Sequence, residues 1–208
     1  MDILEAVRTR RSMKFFDPEH IMPPEDVRTI MESAILSPTA FNIQNWRFVR
    51  ITDDRMREEI RQAAWGQAQV TDCSLLLVLC MDLNAWDRDP GRYWRTAPRE
   101  VREGMVSNIH DFYKNDPALQ RDEGMRSCSM AAQTIMLVAQ SLGYYSCAMD
   151  GFDFKRVAHL IKLPEDHAIC MMIAIGKATE EPFERGGQLP LEEVFFENRF
   201  PDDMDEHS

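Results

Sequence analysis

The chain has 208 residues, of which 44% are hydrophobic and 28% are charged, a composition typical of soluble globular proteins. Its 24 Lys and Arg residues against 35 Asp and Glu residues give a formal net charge of -11. We therefore do not expect the protein to bind nucleic acids or anionic membranes, because both attract cationic proteins.

Hydrophobic spacing predicts short helices and strands in the first half of the chain. Residues 75–81 are continuously apolar, which predicts a strand that is covered on both faces. Asp2 is suited to cap a first helix, and Pro23 and Pro24 favour a helix start because Pro is tolerated in a first turn. The predicted helices cover residues 2–10, 23–37 and 53–64, and the predicted strands cover 46–51 and 75–81.

The second half contains the longest apolar helix pattern, over residues 125–142. Apolar residues cover more than one face of this helix, so it should be central. Residues 83–97 are irregular and aromatic, and they form either a lid that faces a substrate or a surface loop that covers the core. Further predicted elements are a helix over 99–113, a strand over 144–149, a helix from the cap Asp153 to about 161, a strand over 168–175 and an extended segment over 191–196.

These elements predict an α+β fold, with several helices around a small sheet. We expect one domain over residues 1–200, followed by an acidic, disordered tail over 201–208. Five cysteines without a C-x-x-C spacing predict buried free thiols in a reducing compartment. The N-terminus lacks a basic region before an apolar run, and we therefore expect a cytoplasmic protein.

Several catalytic signatures are missing from the sequence. It has no G-x-x-x-x-G-K-[ST] phosphate loop, no G-x-G-x-x-G, no G-x-S-x-G elbow and no H-E-x-x-H. The histidines show no metal-ligand spacing, and we expect His159 and His167 to lie at the surface. No metal and no catalytic side chain is predicted, so in an enzyme of this sequence a cofactor would carry the chemistry.

Two polar stretches stand out, and each allows two interpretations. Residues 10–14 concentrate positive charge, either as a solvated helix C-terminus or as an anion site in an acidic protein. Residues 37–46 carry hydroxyl and amide groups between a helix and a strand. They are either an ordinary polar loop or a loop whose amides read the edge of a planar heterocycle.

Taken together, these stretches resemble the nitroreductase family of flavin enzymes. The resemblance is carried in order from residue 1 to about 200 by five motifs, which are Arg10-Arg11-Ser12-x-Lys14, Ser37-Pro38-Thr39-x-x-Asn42-x-Gln44-x-Trp46, Ala139-Gln140-Ser141-Leu142-Gly143-Tyr144, Met149-Asp150-Gly151-Phe152-Asp153, and Ile173-Ala174-Ile175-Gly176-Lys177 leading to Leu189–Val194. Each motif is weak alone, but five in order with suitable spacing are specific.

The resemblance implies a three-layer α+β fold, with a small, mostly antiparallel sheet surrounded by helices, and an intertwined homodimer with FMN at the subunit interface. It implies an FMN-dependent oxidoreductase that takes hydride from NADH or NADPH. Nitroaromatic, quinone or similar acceptors would then be reduced at the same place, in a ping-pong mechanism. A specialised relative (an enone reductase, a reductive dehalogenase or a flavin-fragmenting enzyme) and a non-catalytic flavin-binding protein remain alternatives.

The resemblance also assigns cofactor-binding residues. Arg10 and Ser12 would bind the FMN phosphate, Arg11 the phosphate or the ribityl chain, and Lys14 the pyrimidine edge of the flavin. The backbone N–H of Asp150 would approach flavin N5, the atom that accepts hydride. Met149 and Gly151 flank Asp150 beside the flavin edge, and the residues expected to pack on a flavin bound mainly by the other subunit are Pro38, Thr39, Ala40 and Asn42, with Gln44 nearby.

Two positions depart from the family pattern. Gly66 stands where many relatives carry an amide or basic residue that reads the pyrimidine ring, and Gln67 or Gln69 would substitute for it. Gly186-Gly187-Gln188 stands where the family often has a Lys-x-Arg pair, so Arg185 and Gln188 are the nearest phosphate ligands. The acceptor pocket would be shaped by residues 83–125, with five aromatic candidates, Trp86, Tyr93, Trp94, Phe112 and Tyr113.

Overall fold

A four-stranded sheet organises residues 1–201, the part of the chain that the computed structural model describes. Every pair of neighbouring strands in it is antiparallel. The central strand β2 (Leu75–Asp82) is buried along its whole length, as its continuous apolar run predicts. In the order that they occupy across the sheet, the strands are β1 (Trp46–Ile51), β2 (Leu75–Asp82), β4 (His167–Gly176) and β3 (Tyr145–Met149).

Helices cover both faces of this sheet, which confirms the predicted three-layer α+β architecture. One core lies between the sheet and the helices of residues 54–63 and 154–160, and a second lies between the sheet and the helices of residues 24–34 and 117–141. The described helices are α1 (Ile3–Thr9), α2 (Pro24–Ala34), α3 (Asp54–Ala63), α4 (Gln69–Asp72), α5 (Arg99–Tyr113), α6 (Pro117–Ser141) and α7 (Phe154–Leu160), with short 3-10 turns at Ala40–Asn42, Pro90–Trp94 and Leu191–Glu193. None of the helices within residues 1–201 is long and apolar enough to cross a membrane.

Side-chain caps fix several helix starts. Asp2 accepts a hydrogen bond from Glu5 N, and Asp153 accepts one from Arg156 N, so both predicted N-caps are confirmed. The predicted start of the long helix is wrong, because α6 begins at Pro117 and not at residue 125. Asp116 caps it through Leu119 N, and Pro117 occupies its first turn.

Three further predictions need correction. The helix α2 ends at Ala34, three residues before the predicted end. Residues 191–196 are not an extended segment, because a 3-10 turn occupies Leu191–Glu193. His159 is exposed as predicted, but the His167 side chain is only 10% exposed and forms a 2.7 Å contact with Asp166 Oδ1.

The five cysteines, all within the described range, are buried and free, as predicted. The predicted tail over 201–208 lies outside the described residues except for Pro201, and the extent of the domain over 1–200 stays a prediction.

Candidate functional site

The cationic stretch Arg10–Lys14 runs along the outer edge of β3. Ser12 forms a parallel bridge with Ser146, and Met13 N donates to Ser146 O at 3.1 Å. Met13 is buried in the core beneath this edge, whereas Ser12 and Lys14 are exposed. The backbone pairing therefore anchors the stretch and leaves its polar side chains at the surface.

Three guanidinium groups gather at the start of this stretch. Arg185 Nη2 donates to the carbonyl oxygens of Arg8 at 3.3 Å and Arg10 at 3.0 Å, and Arg11 donates to the carbonyl oxygen of Phe183. Partial burial, and then the like charges of Arg185 and Arg11, hold the pKa of Arg10 below the ordinary guanidinium value. The neighbours that shift this pKa include no carboxylate, so the cluster is suited to bind an anion.

The end of β3 is fixed by a chain of two amides. Gln67 Nε2 donates to the carbonyl oxygen of Gly151 at 2.7 Å, and Gln69 Nε2 donates to Gln67 Oε1 at 2.8 Å. The structure thus brings Gln67 against Gly151, with Gln69 bonded behind it. Gln69 is buried and Gln67 already uses both ends of its amide, so little of this pair remains free to read a heterocycle.

Trp65 is a residue beside this turn that the sequence analysis did not select. Its side chain is 73% exposed, and a Cβ built on Gly151 would lie 3.4 Å from Trp65 Cζ3. Trp65 and Gly66 both have positive φ, at 55° and 80°, so the chain turns sharply here. The sequence signal that could have identified Trp65 is the Trp-Gly pair directly after a helix, because a large aromatic residue at a turn is rarely part of the core.

A cavity of about 380 Å³ borders Met149 and Asp150. This volume falls within the range of small-molecule sites. The other lining residues come from α6, β3 and β4, and they are Met125, Ser129, Ala148, Cys170 and Met171.

The thiol of Cys170 in this cavity differs from the other cysteines. The neighbouring Cys128 thiol holds the pKa of Cys170 below its ordinary value, opposed by burial and assisted by Ser129 Oγ at 4.0 Å. Burial raises the pKa of Cys73 to about 11 and that of Cys80 to about 12. Cys170 therefore has the largest thiolate fraction of these three cysteines at neutral pH.

Iodoacetamide at pH 7 should consequently label Cys170 before Cys73 and Cys80, because the thiolate is the reactive form. Peptide mass spectrometry after short exposures measures the order, and the rate at Cys170 should rise with pH as the thiol ionises. Cys170→Ser is the control, and early labelling of Cys73 or Cys80 would contradict the assignment.

The second polar stretch lies at the opposite edge of the sheet, in the segment that leads into β1. Phe41, Asn42 and Gln44 have φ of 51°, 57° and 43°, although none of them is glycine. Thr39 Oγ1 accepts from Gln44 N at 3.1 Å, and Asn42 Nδ2 donates to Tyr93 O at 2.9 Å. Non-glycine residues hold such φ values only where the surroundings fix them, and such strain clusters at functional sites.

Within one chain, the two polar stretches are held at opposite edges of the sheet. The 10–14 stretch pairs with β3, the 37–46 stretch enters β1, and β2 and β4 lie between these strands. At a strand spacing of about 4.8 Å, the outer strands are roughly 14 Å apart. The stretches are thus suited to meet different ligands, or to meet one ligand from two different subunits.

The proposed acceptor aromatics are mostly structural. Tyr93 and Tyr113 are buried with Ile43 and Ile109, and Trp86 and Trp94 pack against this cluster. Phe112 is the exception among the five, since its side chain is 53% exposed. The aromatic residues of 83–97 therefore belong to a surface loop that covers the core, and they do not form a lid that faces a substrate.

The one group of potential metal ligands found within residues 1–201 is Asp82, Asp166 and His167. Arg47 Nη2 lies 2.9 Å from Asp82 Oδ2, and Arg88 contacts both carboxylates. Because guanidinium groups already neutralise the two acids, we interpret this group as an ion-pair network at the end of β2.

Comparison with known proteins extends over nearly the whole chain. A family model described as Nitroreductase family matches residues 7–177. Protein DrgA of Synechocystis sp. is 52% identical over 196 residues, covering 92% of this chain and 93% of that protein. A Bacillus subtilis protein with the provisional name NAD(P)H nitroreductase MhqN is 32% identical over 199 residues, covering 92% and 97%.

Solved structures show the same architecture. A protein of Exiguobacterium sibiricum, provisionally named a nitroreductase and solved in complex with FMN, matches with a TM-score of 0.87 and 26% identity. The match covers 94% of this chain and 97% of that chain.

Proposed function

The chain belongs to the nitroreductase family, and from that premise we propose that it is an FMN-dependent oxidoreductase that oxidises NADH or NADPH. Nitroaromatic, quinone or similar small aromatic molecules would be the acceptors, in a ping-pong cycle. The observation that carries the proposal is the cluster of three guanidinium groups at the edge of β3, in a protein of net charge -11. FMN brings a dianionic phosphate that such a cluster can bind, and its N5 supplies the hydride chemistry.

In this proposal Arg10, Arg11 and Arg185 neutralise the phosphate, and Ser12 donates a hydrogen bond to it. Lys14, exposed two residues further along the edge, holds a positive charge at the pyrimidine ring. A cation there stabilises negative charge on the reduced ring without moving a proton. The absence of a Lys-x-Arg pair near residue 187 is thus offset by Arg185, which reaches the backbone of Arg10.

The turn after β3 would hold the reactive edge of the flavin. The hydrogen bond from Gln67 to the carbonyl oxygen of Gly151 fixes this turn and so orients the N–H of Asp150. Gln67 and Gln69 then act chiefly by positioning backbone. Trp65 stands exposed beside Gly151 and offers an aromatic face to a nicotinamide or a planar acceptor.

The opposite-edge location of the 37–46 stretch supports a homodimer with shared sites, which we place in the cytoplasm as part of the same proposal. Pro38, Thr39, Ala40, Asn42 and Gln44 would pack on the flavin held mainly by the partner subunit. Exposed apolar residues are numerous in the described C-terminal segment, including Leu189, Leu191, Val194, Phe195 and Phe200, and a partner subunit would cover them.

Purified protein should therefore be yellow or take up one FMN per chain, measured by flavin absorbance. Anaerobic addition of NADH or NADPH should bleach that absorbance, and a nitroaromatic or quinone should restore it. A protein that takes up no FMN would contradict the whole proposal. Flavin that no nicotinamide reduces would instead indicate a non-catalytic binding protein.

A further inference from the structure

Glu123 is a buried carboxylate that the proposed chemistry does not use. It lies in α6, and its residue is only 6% exposed. Its Oε1 accepts hydrogen bonds from Ala40 N at 3.1 Å and from Ser127 Oγ at 2.6 Å, and Arg126 Nη1 lies 3.7 Å from Oε2. Burying a carboxylate is costly unless it is hydrogen-bonded, so these three contacts are what keep Glu123 in place.

The backbone that Glu123 holds is the strained start of the 37–46 stretch. Ala40 directly precedes Phe41 and Asn42, the first two residues with left-handed φ. On the far side of the strain, Trp94 Nε1 donates to Phe41 O at 2.9 Å, and Asn42 Nδ2 donates to Tyr93 O. The strained residues are thus held between α6 on one side and the Pro90–Trp94 turn on the other.

We propose that Glu123 is a positioning residue, whose carboxylate fixes the Ala40 N–H and thereby presents the Thr39–Asn42 backbone to the partner's flavin. This role rests on the proposed function, because the geometry of the loop affects cofactor binding only if the protein binds FMN. Glu123 acts through the loop and does not itself contact the cofactor.

A pair of neighbouring acids on α6 supplies the matched comparison. Asp122 lies 3.7 Å from the same Arg126, but its side chain is 60% exposed and belongs to the outer face of the helix. Glu123→Ala removes the contact to Ala40, whereas Asp122→Ala removes the same charge without touching the loop. Glu123→Gln keeps an oxygen that can accept both hydrogen bonds.

We expect Glu123→Ala to raise the dissociation constant of FMN by about tenfold or more, because a buried hydrogen bond to a charged group is lost. Glu123→Gln should restore binding to within about threefold, and Asp122→Ala should match the wild type, since exposed pairs contribute little. Should Glu123→Ala not fold, Glu123→Met fills a similar volume without an acceptor and gives the same comparison.

Hydrogen exchange at the Ala40 amide provides a readout that does not depend on FMN. In flavin-free dimer or monomer, Glu123→Ala should accelerate exchange over residues 38–44, while Asp122→Ala and Glu123→Gln should not. Unchanged exchange, or wild-type FMN affinity in Glu123→Ala, would overturn the positioning role alone. Wild-type protein without FMN affinity would overturn the proposed function, and the exchange result would still decide whether Glu123 fixes the loop.

Discussion

Arg10→Ala should raise the dissociation constant of FMN by about a hundredfold, the largest loss of cofactor affinity that we expect from one substitution. Hydrogen bonds to charged groups contribute about 1.5–3 kcal/mol each, and every 1.4 kcal/mol corresponds to a factor of ten. The flavin-free protein should tolerate the change, because removing Arg10 relieves its repulsion with Arg11 and Arg185. Titration of the flavin-free protein with FMN, followed by quenching of flavin fluorescence, measures the effect.

Arg8→Ala is the control for this prediction, because it removes an equal charge from the last turn of α1, two residues before Arg10. Arg8 is exposed and is not among the groups that shift the pKa of Arg10. Its substitution should change the FMN dissociation constant less than about threefold at 0.15 M salt, where exposed charges are screened beyond roughly 8 Å. Equal losses in the two variants would indicate a general effect of net charge and would refute a phosphate site at Arg10.

Gly124→Ala should lower the free energy of unfolding by up to about 2 kcal/mol, because overpacking a core costs about 1–3 kcal/mol and the better helix propensity of alanine offsets about 1 kcal/mol of that. Gly124 lies where α6 packs against β2, and a Cβ added there would lie 2.5 Å from Met81 Sδ and 3.0 Å from Met81 Cβ. The sulfur can rotate away, but Cβ of Met81 is fixed to the buried strand. Urea denaturation at a fixed FMN concentration measures the change, since bound ligand shifts apparent stability.

Gly104→Ala supplies the opposite result in the same experiment. Gly104 lies inside α5, and a Cβ added there meets nothing within 4 Å. Alanine is a better helix former than glycine by about 1 kcal/mol, so this variant should be more stable than the wild type. A stabilised Gly124→Ala variant would show that α6 can move away from β2.

Local sequence patterns predicted the elements that have a single hydrophobic periodicity along their length. The bounds of β1 and α5 agree with the sequence, because each has one hydrophobic period and a clear boundary such as Pro98. The start of α6 was missed since its first turns are polar and exposed, which hides the helical period. The order of the four strands has no local signal and was not predicted, and the family resemblance supplied only a mostly antiparallel sheet.

The candidate site also contains residues that the sequence predicted and residues that it could not predict. Arg10 was selected from the concentrated charge of its stretch and Arg185 as the substitute for a missing family motif, and the structure brings them together. The amide chain from Gln69 through Gln67 to Gly151 could not be predicted, because its two ends lie more than 80 residues apart and meet only through tertiary packing. Glu123 was hidden for a related reason, since nothing local distinguishes a buried acid from the exposed Asp122 beside it.

The pairing of β2 with β4 has a consequence for biosynthesis. Leu75 pairs with Ile175, and the intervening chain includes α5, α6 and β3. At about 5–20 residues per second, the ribosome needs roughly 5–20 s to deliver the partner of this strand, which is apolar except for Asp82. During that interval one edge of β2 has no partner, so nascent chains that stop before residue 167 should depend most on chaperones.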